Sequence, residues 1–206
     1  MKQISEWIRR IGDGGLDAAL GEVYGKAAVP TQRDRYLRAL EEFGRLFGTE
    51  REVTLFSAPG RTEIGGNHTD HNHGRVLAAS VNLDVIAVAA PSSENRVRVK
   101  SEGYPMDTVT LDDLAPREAE YSRSSALIRG MAERFAQDGL SIGGFDAYTT
   151  SNVLKGSGLS SSAAWVGSFP SILPARENHS SGRLPLISLP PAIICALWTP
   201  AGTTPI

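Results

Sequence analysis

Residues 76–90 read VLAASVNLDVIAVAA, a long apolar run that is rich in β-branched side chains. A run of this kind is typical of strands that are buried on both faces of a sheet. It predicts one or two buried strands, so any fold of this chain has to be built around a β-sheet.

Shorter patterns predict the elements around this core. Thr31 is a candidate N-cap for the clearest helix, Gly139 is a stop signal for another, and Pro59 with Gly60 ends a strand pattern. The predicted helices cover residues 4–11, 15–24, 31–47 and 124–139, and the other predicted strands cover residues 53–58, 95–101, 107–111 and 145–151. This mixture predicts an α/β or α+β ligand-binding domain.

The first of two polar, glycine-rich segments covers residues 60–74 and reads GRTEIGGNHTDHNHG. It follows a predicted strand and holds His68, His71 and His73, three of the four histidines of the chain. Three interpretations are open: a metal site, a pocket whose Asn, His and Asp side chains hydrogen-bond a hydroxylated ligand such as a sugar, or a solvated loop. For a metal site, no further ligand is evident downstream.

The second polar segment, LKGSGLSSSAA at residues 154–164, follows the predicted strand at 145–151. Unblocked backbone N–H groups before a helix start favour an anion such as a polyphosphate, and serine hydroxyls can add a magnesium ligand. No G-K-[ST] sequence follows, which excludes a Walker A loop. A flexible Gly/Ser linker is the alternative, and Lys155 is either a phosphate contact or a solvated side chain.

Charge and cysteine content exclude several functional classes. The net charge of −2 and the pI of about 6.1 give no electrostatic reason to expect a nucleic-acid partner. The single cysteine, Cys195, excludes an internal disulfide and a thiolate metal cluster. The first residues, MKQISEWIRRIGDGG, contain no apolar run of signal-peptide length, so we expect a cytoplasmic protein.

The composition changes after residue 166. Residues 167–206 hold seven of the 12 prolines but only one of the 23 acidic residues. The apolar stretch at 184–198 is shorter than the roughly 20 residues of a spanning helix and contains two adjacent prolines, so no membrane segment is expected. We therefore predict a ligand-binding domain at residues 1–166 and a Pro-rich, poorly ordered tail at 167–206.

Together the two polar segments resemble the galactokinases of the GHMP kinase superfamily. APGRTEIGGNHTDHNHGRVLAASVNLD at residues 58–84 is similar to the sugar signature G-R-x-N-x-I-G-E-H-x-D-Y, and LKGSGLSSSAA is similar to the phosphate loop P-x-x-x-G-L-x-S-S-A. The resemblance implies an α+β fold, the GHMP-kinase N-terminal domain. This domain is a ribosomal-protein-like mixed sheet with helices packed on one face, here incomplete. It also implies a galactokinase, which phosphorylates galactose to galactose 1-phosphate with ATP and Mg²⁺, and we expect a monomer.

The resemblance also implies roles for individual residues. Arg61 corresponds to the arginine that stabilises the transition state beside the reacting hydroxyl. Asn67, His68 and Asp70 correspond to sugar-binding positions, although the family carries glutamate at the place of Asn67, which leaves the choice of sugar epimer open. The implied ATP-binding residues are Gly156, Ser157, Gly158, Leu159, Ser160, Ser161 and Ser162, and the hydroxyl of Ser162 also corresponds to the magnesium ligand.

The resemblance covers residues 30–165 and then stops. The family's G-x-x-D-Q motif, whose aspartate is the catalytic base, is absent, and no aspartate follows Ala164. We therefore expect a truncated chain with weak or no activity, whose tail is either a frameshift product or a real segment. Without the carboxylate that it normally faces, Arg61 is expected to point to solvent. The alternatives are a sugar- and nucleotide-binding sensor without catalysis and a nonfunctional fragment.

Overall fold

A computed structural model describes residues 1–66, 75, 77–139 and 142–153. The predicted boundary at residue 166, the tail and the second polar segment lie outside these residues. The helices are α1 Ile4–Gly12, α2 Asp17–Tyr24, α3 Val29–Phe47 and α4 Ser124–Gln137, and the strands are β1 Lys2–Gln3, β2 Glu52–Gly65, β3 Leu77–Pro91, β4 Arg96–Ser101, β5 Met106–Thr110 and β6 Phe145–Ser151. Across these ranges, no helix combines the length and the apolar character needed to span a bilayer.

The strands form one six-stranded mixed sheet in the order β1-β2-β3-β6-β4-β5. All neighbouring strands are antiparallel except β4 and β6, which are parallel. The apolar run forms a single strand of 15 residues, β3, and residues 85–90 of this strand are all buried. The predicted α+β fold class with a mixed sheet is confirmed.

Helices cover both faces of the sheet. Ile86 and Val88 of β3 pack with Leu40 and Phe43 of α3 in a core that also includes α1 and α2. The alternate residues of β3 point to the opposite face and pack in a second core with Ile128 of α4. The expectation that helices lie on one face therefore holds for α1 to α3 but is wrong for α4, because a strand that is apolar on both sides has to be covered on both sides.

Two element boundaries also differ from the sequence-based expectation. The helix expected to begin at Thr31 begins at Val29 with Pro30 in its first turn, and no side chain caps it. The first turn of a helix tolerates proline because its N–H groups have no partner within the helix. The strand expected to end at Pro59 continues to Gly65. Because β1 pairs only with residues 52–53, the side of β2 away from β3 has no neighbouring strand at Pro59. Proline is tolerated there, since no hydrogen bond from its nitrogen is required.

Two carboxylates with arginine partners fix connections between elements. Arg129 of α4 donates from Nε and Nη2 to the carboxylate of Glu120 at 2.8 and 2.7 Å, which anchors the segment between β5 and α4. At the start of β6, Asp146 is completely buried and accepts from Arg98 at 2.6 and 2.9 Å and from Arg51 at 3.1 Å. Such bidentate pairs are the geometrically specific class of ion pair.

Leu40 tests the core between α3 and the sheet. It is fully buried, and we expect Leu40→Ala to lower the free energy of unfolding by about 2–5 kcal/mol, because truncation removes apolar contacts and leaves a cavity. Urea unfolding followed by far-UV circular dichroism measures this change. The exposed neighbour Glu41 provides the control, and Glu41→Ala should alter the free energy by less than about 0.5 kcal/mol. Similar losses in both variants would contradict this packing.

Glu120 gives the fold a predictable pH dependence. The hydrogen bond and the charge of Arg129 hold the pKa of the Glu120 carboxyl below its usual range. The stabilisation is therefore present above the usual glutamate pKa of about 4.3 and is lost as the pH falls through the folded-state value. We expect Glu120→Gln to destabilise the protein at pH 7 and to have a shrinking effect in urea unfolding below about pH 4. Glu118→Gln, at an exposed position of the same segment, should have little effect at either pH.

Candidate functional site

Of the predicted site residues, Arg61 lies in the described part of the chain. Asn67, His68, Asp70 and the seven residues from Gly156 to Ser162 lie outside it, so their roles remain predictions. The same holds for the choice between a metal site, a sugar pocket and a solvated loop at residues 67–74.

A β-bulge precedes Arg61. Pro59 of β2 lies opposite Asp84 of β3, whereas Arg61 lies opposite Ser80, so that residues 81–83 all face the single residue Gly60. Bulges of this kind bend a strand and re-aim the side chains that follow, and they are common beside active sites. Arg61 is half-buried, and the expectation that its side chain points to solvent stays a prediction. Its position is set by the bulge of the strand pair.

A polar group is buried beside the bulge, where apolar packing would be expected. Asp84 is only 2% exposed. Its Oδ1 accepts from Nη1 of Arg35 at 2.5 Å, and its Oδ2 accepts from the hydroxyls of Tyr24 and Ser57, each at 2.5 Å. Buried carboxylates require such partners, because an unpaired charge in a protein interior is strongly unfavourable.

The same group connects β3 to β6. Nη2 of Arg35 donates to the backbone carbonyls of Asp84 and Thr150 at 3.0 and 3.1 Å. Asn152 accepts from the N–H of Asp84 through Oδ1 at 2.6 Å and donates its own N–H to the Asp84 carbonyl at 3.1 Å. We call Tyr24, Arg35, Ser57, Asp84 and Asn152 the Asp84 cluster. It joins two helices to three strands.

The cluster is held in one protonation state at Tyr24. Burial, together with the neighbouring Tyr36 and the negative charge of Asp84, raises the pKa of the Tyr24 phenol far above its usual value. Tyr24 is therefore a neutral hydrogen-bond donor to the carboxylate throughout the physiological range. Its oxygen also lies 3.1 Å from the hydroxyl of Tyr36, which extends the polar contact along α3.

The pairing of the strands brings Arg61 and the end of β6, the strand that precedes the second polar segment in the sequence, to the same end of the sheet. Strand β6 runs antiparallel to β3, so that Ser151 lies opposite Val85 and the chain leaves β6 in the direction of Arg61. Val153, the last described residue before the second segment, packs on Val85 and Leu83 beside the bulge. Arg61 and the end of β6, which leads to the glycine-serine segment, thus lie at the same end of the sheet. This arrangement is suited to a ligand that carries both hydroxyl and phosphate groups.

Sequence reasoning did not identify the Asp84 cluster at this end of the sheet. The available signal was an aspartate inside an otherwise apolar run, since a buried acid has to find a partner elsewhere in the chain. Its partner Arg35 lies 49 residues away on α3, and no local pattern identifies it.

Comparison with known proteins agrees with this geometry. The galactokinase galactose-binding signature matches residues 41–91, which include β2, β3 and the segment between them. Over 167 residues the chain is 32% identical to a galactokinase of Lactococcus lactis subsp. cremoris, a match that covers 79% of this chain and 41% of that protein. A galactokinase of Lactiplantibacillus plantarum is 33% identical over 128 residues, which are 60% of this chain and 32% of the relative.

The fold matches as well. The crystal structure of Lactococcus lactis galactokinase complexed with galactose superposes with a TM-score of 0.59 at 32% identity, covering 67% of this chain and 37% of that one. The chain thus spans about two fifths of the length of the relatives that it matches, and this partial coverage fits their N-terminal portion. By sequence and by fold, this chain is similar to the N-terminal portion of galactokinases.

Proposed function

We propose that residues 1–166 are the sugar- and ATP-binding domain of a cytoplasmic galactokinase, which phosphorylates galactose at its anomeric hydroxyl. The observation that carries this proposal is the galactose-binding signature at residues 41–91, within which the bulge positions Arg61. A relative that is 32% identical has been crystallised with galactose, which supports the choice of sugar.

The proposed reaction is an in-line displacement. The anomeric hydroxyl attacks the γ-phosphorus of ATP and gives up its proton to solvent, the bond from this phosphorus to the β-γ bridging oxygen breaks, and ADP leaves. Arg61 would offset the charge that develops on the transferred phosphoryl group, while Asn67, His68 and Asp70 would hydrogen-bond the sugar hydroxyls. Positioning and electrostatics supply most of the rate enhancement in such transfers.

The second polar segment would hold the nucleotide. Backbone N–H groups from Gly156 to Ser162 are suited to the phosphates, and the Ser162 hydroxyl is suited to Mg²⁺. Mg²⁺ held there would neutralise phosphate charge. The chemistry of the donor set supports this assignment, since unblocked backbone N–H groups donate hydrogen bonds to phosphate oxygens and hydroxyl oxygens bind hard cations.

A second candidate function is a sugar- and nucleotide-binding protein without catalysis. Within the 206 residues no aspartate follows Ala164, so these residues by themselves carry no counterpart of the family's catalytic aspartate. A fragment without function is the third candidate. Binding and turnover, measured separately, distinguish the three: the enzyme shows both, the binding protein shows binding alone, and the fragment shows neither.

Galactose binding to the purified chain tests the sugar site. We expect calorimetry to detect galactose binding that Asp70→Ala weakens by about 10- to 100-fold, the effect of losing a hydrogen bond to a charged group. Asp138→Ala is the matched control, because the Asp138 side chain is 47% exposed at the end of α4, where its ion-pair partner is Arg134. Stoichiometric Zn²⁺ binding that is lost in His68→Ala, without any galactose binding, would favour the metal site instead.

Turnover tests the catalytic half of the proposal. With galactose, ATP and Mg²⁺ in a coupled assay, we expect the 206-residue chain to turn over at least about 10²-fold more slowly than an ordinary galactokinase. General-base proton transfer contributes about 10²–10⁴ in rate, and the chain has no aspartate after Ala164 to supply it. Turnover within tenfold of an ordinary galactokinase that disappears in Ser162→Ala would contradict this expectation.

A further inference from the structure

The Asp84 cluster occupies a place in the sheet where an apolar side chain would fit the pattern. On the same face of β3, the next positions are Ile86, Val88 and Ala90, and all of them pack against the helical layer. A buried ion pair is rarely more stabilising than well-packed apolar residues of similar volume. Asp84 therefore contributes something other than net stability, namely hydrogen bonds with fixed directions.

The hydrogen bonds of the Asp84 cluster meet at the end of the sheet that carries the proposed site. Ser57 precedes the bulge on β2, and Asp84 directly follows residues 81–83 of the bulge on β3. Asn152 and the Thr150 carbonyl fix the end of β6, two residues before the second polar segment begins. The Asp84 carboxylate reaches the end of β6 through Arg35, which also donates to the Thr150 carbonyl, while Asn152 bonds the Asp84 main chain. Asp84 and its partners thus set the spacing between the strand pair that carries Arg61 and the strand that leads to the glycine-serine segment.

A second buried carboxylate on the same face of the sheet, Asp146, provides a control for Asp84. Asp146 lies on β6, is also buried from solvent, and is held by Arg51 and Arg98. It pairs with Ala90 of β3, six residues away from Asp84 along that strand and at the end of the sheet remote from Arg61. Its bonds tie the segment between α3 and β2 to β4 without touching the bulge.

We propose that Asp84 is a positioning residue of the sugar- and ATP-binding site: through Arg35, Ser57 and Asn152 it holds the Arg61 bulge and the exit of β6 in one fixed relative geometry. This inference rests on the proposed function for what is positioned, and on the hydrogen bonds of the cluster for the positioning itself. Displacing reacting groups by about 1 Å can cost on the order of 10²-fold in activity, so such a clamp has a functional consequence.

The test compares Asp84→Asn with Asp146→Asn in the full 206-residue chain. Both changes remove one buried charge at nearly constant volume, and urea unfolding reports how far each lowers stability. We expect the galactose dissociation constant to rise by about tenfold or more in Asp84→Asn and to stay within about threefold in Asp146→Asn. Equal changes in both variants at equal stability would overturn the proposal, because the cluster would then act on stability alone.

Hydrogen–deuterium exchange provides a readout that needs no ligand. In Asp84→Asn we expect amide exchange to become faster at both the bulge, residues 81–85, and the exit of β6, residues 150–153, whereas Asp146→Asn should leave both regions unchanged. Unchanged exchange at either region in Asp84→Asn overturns the inference. Absence of galactose binding to the unmodified chain would count against the proposed function, and the exchange data would still decide the positioning.

Asn152→Ala provides a milder variant should Asp84→Asn fail to fold. It removes the side-chain acceptor for the Asp84 N–H but leaves the contact between Arg35 and Asp84 intact. Faster exchange confined to residues 150–153 and Asp84, together with weaker galactose binding, is the expected result. If both quantities match those of the unmodified chain, Asn152 does not belong to the clamp and the proposal fails.

Discussion

The buried carboxylate of Asp84 is the interaction on which the arrangement of the described structure depends. It lies in the central strand, and its two oxygens are occupied by Arg35, Tyr24 and Ser57. Because a charge at 2% exposure has to be compensated, α2 and α3 can dock on β3 only in the register that brings these donors to it. Apolar packing drives the helices onto the sheet, and the carboxylate selects one of the many ways in which they could lie there.

Two buried carboxylates hold opposite ends of the sheet face that α1 to α3 cover. Asp146 holds the start of β6 to β4 through Arg98 and to the segment between α3 and β2 through Arg51, and Asp84 holds its end to β3. Between them lies an apolar core that includes Leu40, which has no directional preference of its own. Asp84, Asp146 and their partners therefore determine how the strands that carry site residues are aligned, while the apolar core supplies the driving force for folding.

This arrangement fits the needs of phosphoryl transfer. Such enzymes gain rate by holding two ligands in line and by stabilising charge, so the distance between a sugar site and a phosphate site matters more than any single contact. In this chain the proposed sugar side is carried by β2 and β3, and the proposed phosphate side follows β6. A clamp between β3 and β6 is the shortest connection between the two that the sheet allows.

The sequence by itself determined the class of fold, most element positions and the resemblance to galactokinases. The apolar run at 76–90 required a buried strand, the periodicity of residues 31–47 required an amphipathic helix, and two ordered motifs with Arg61 in the first identified a galactokinase relative. Local composition carries this information because it reflects burial and turn formation, residue by residue. Only the tertiary structure decided that β2 continues past Pro59, that α4 covers the opposite face, and that Arg35 reaches Asp84 and Thr150. These features depend on strand register and on contacts between segments far apart in the chain, and a register shift of one residue would exchange the two faces without altering any local pattern.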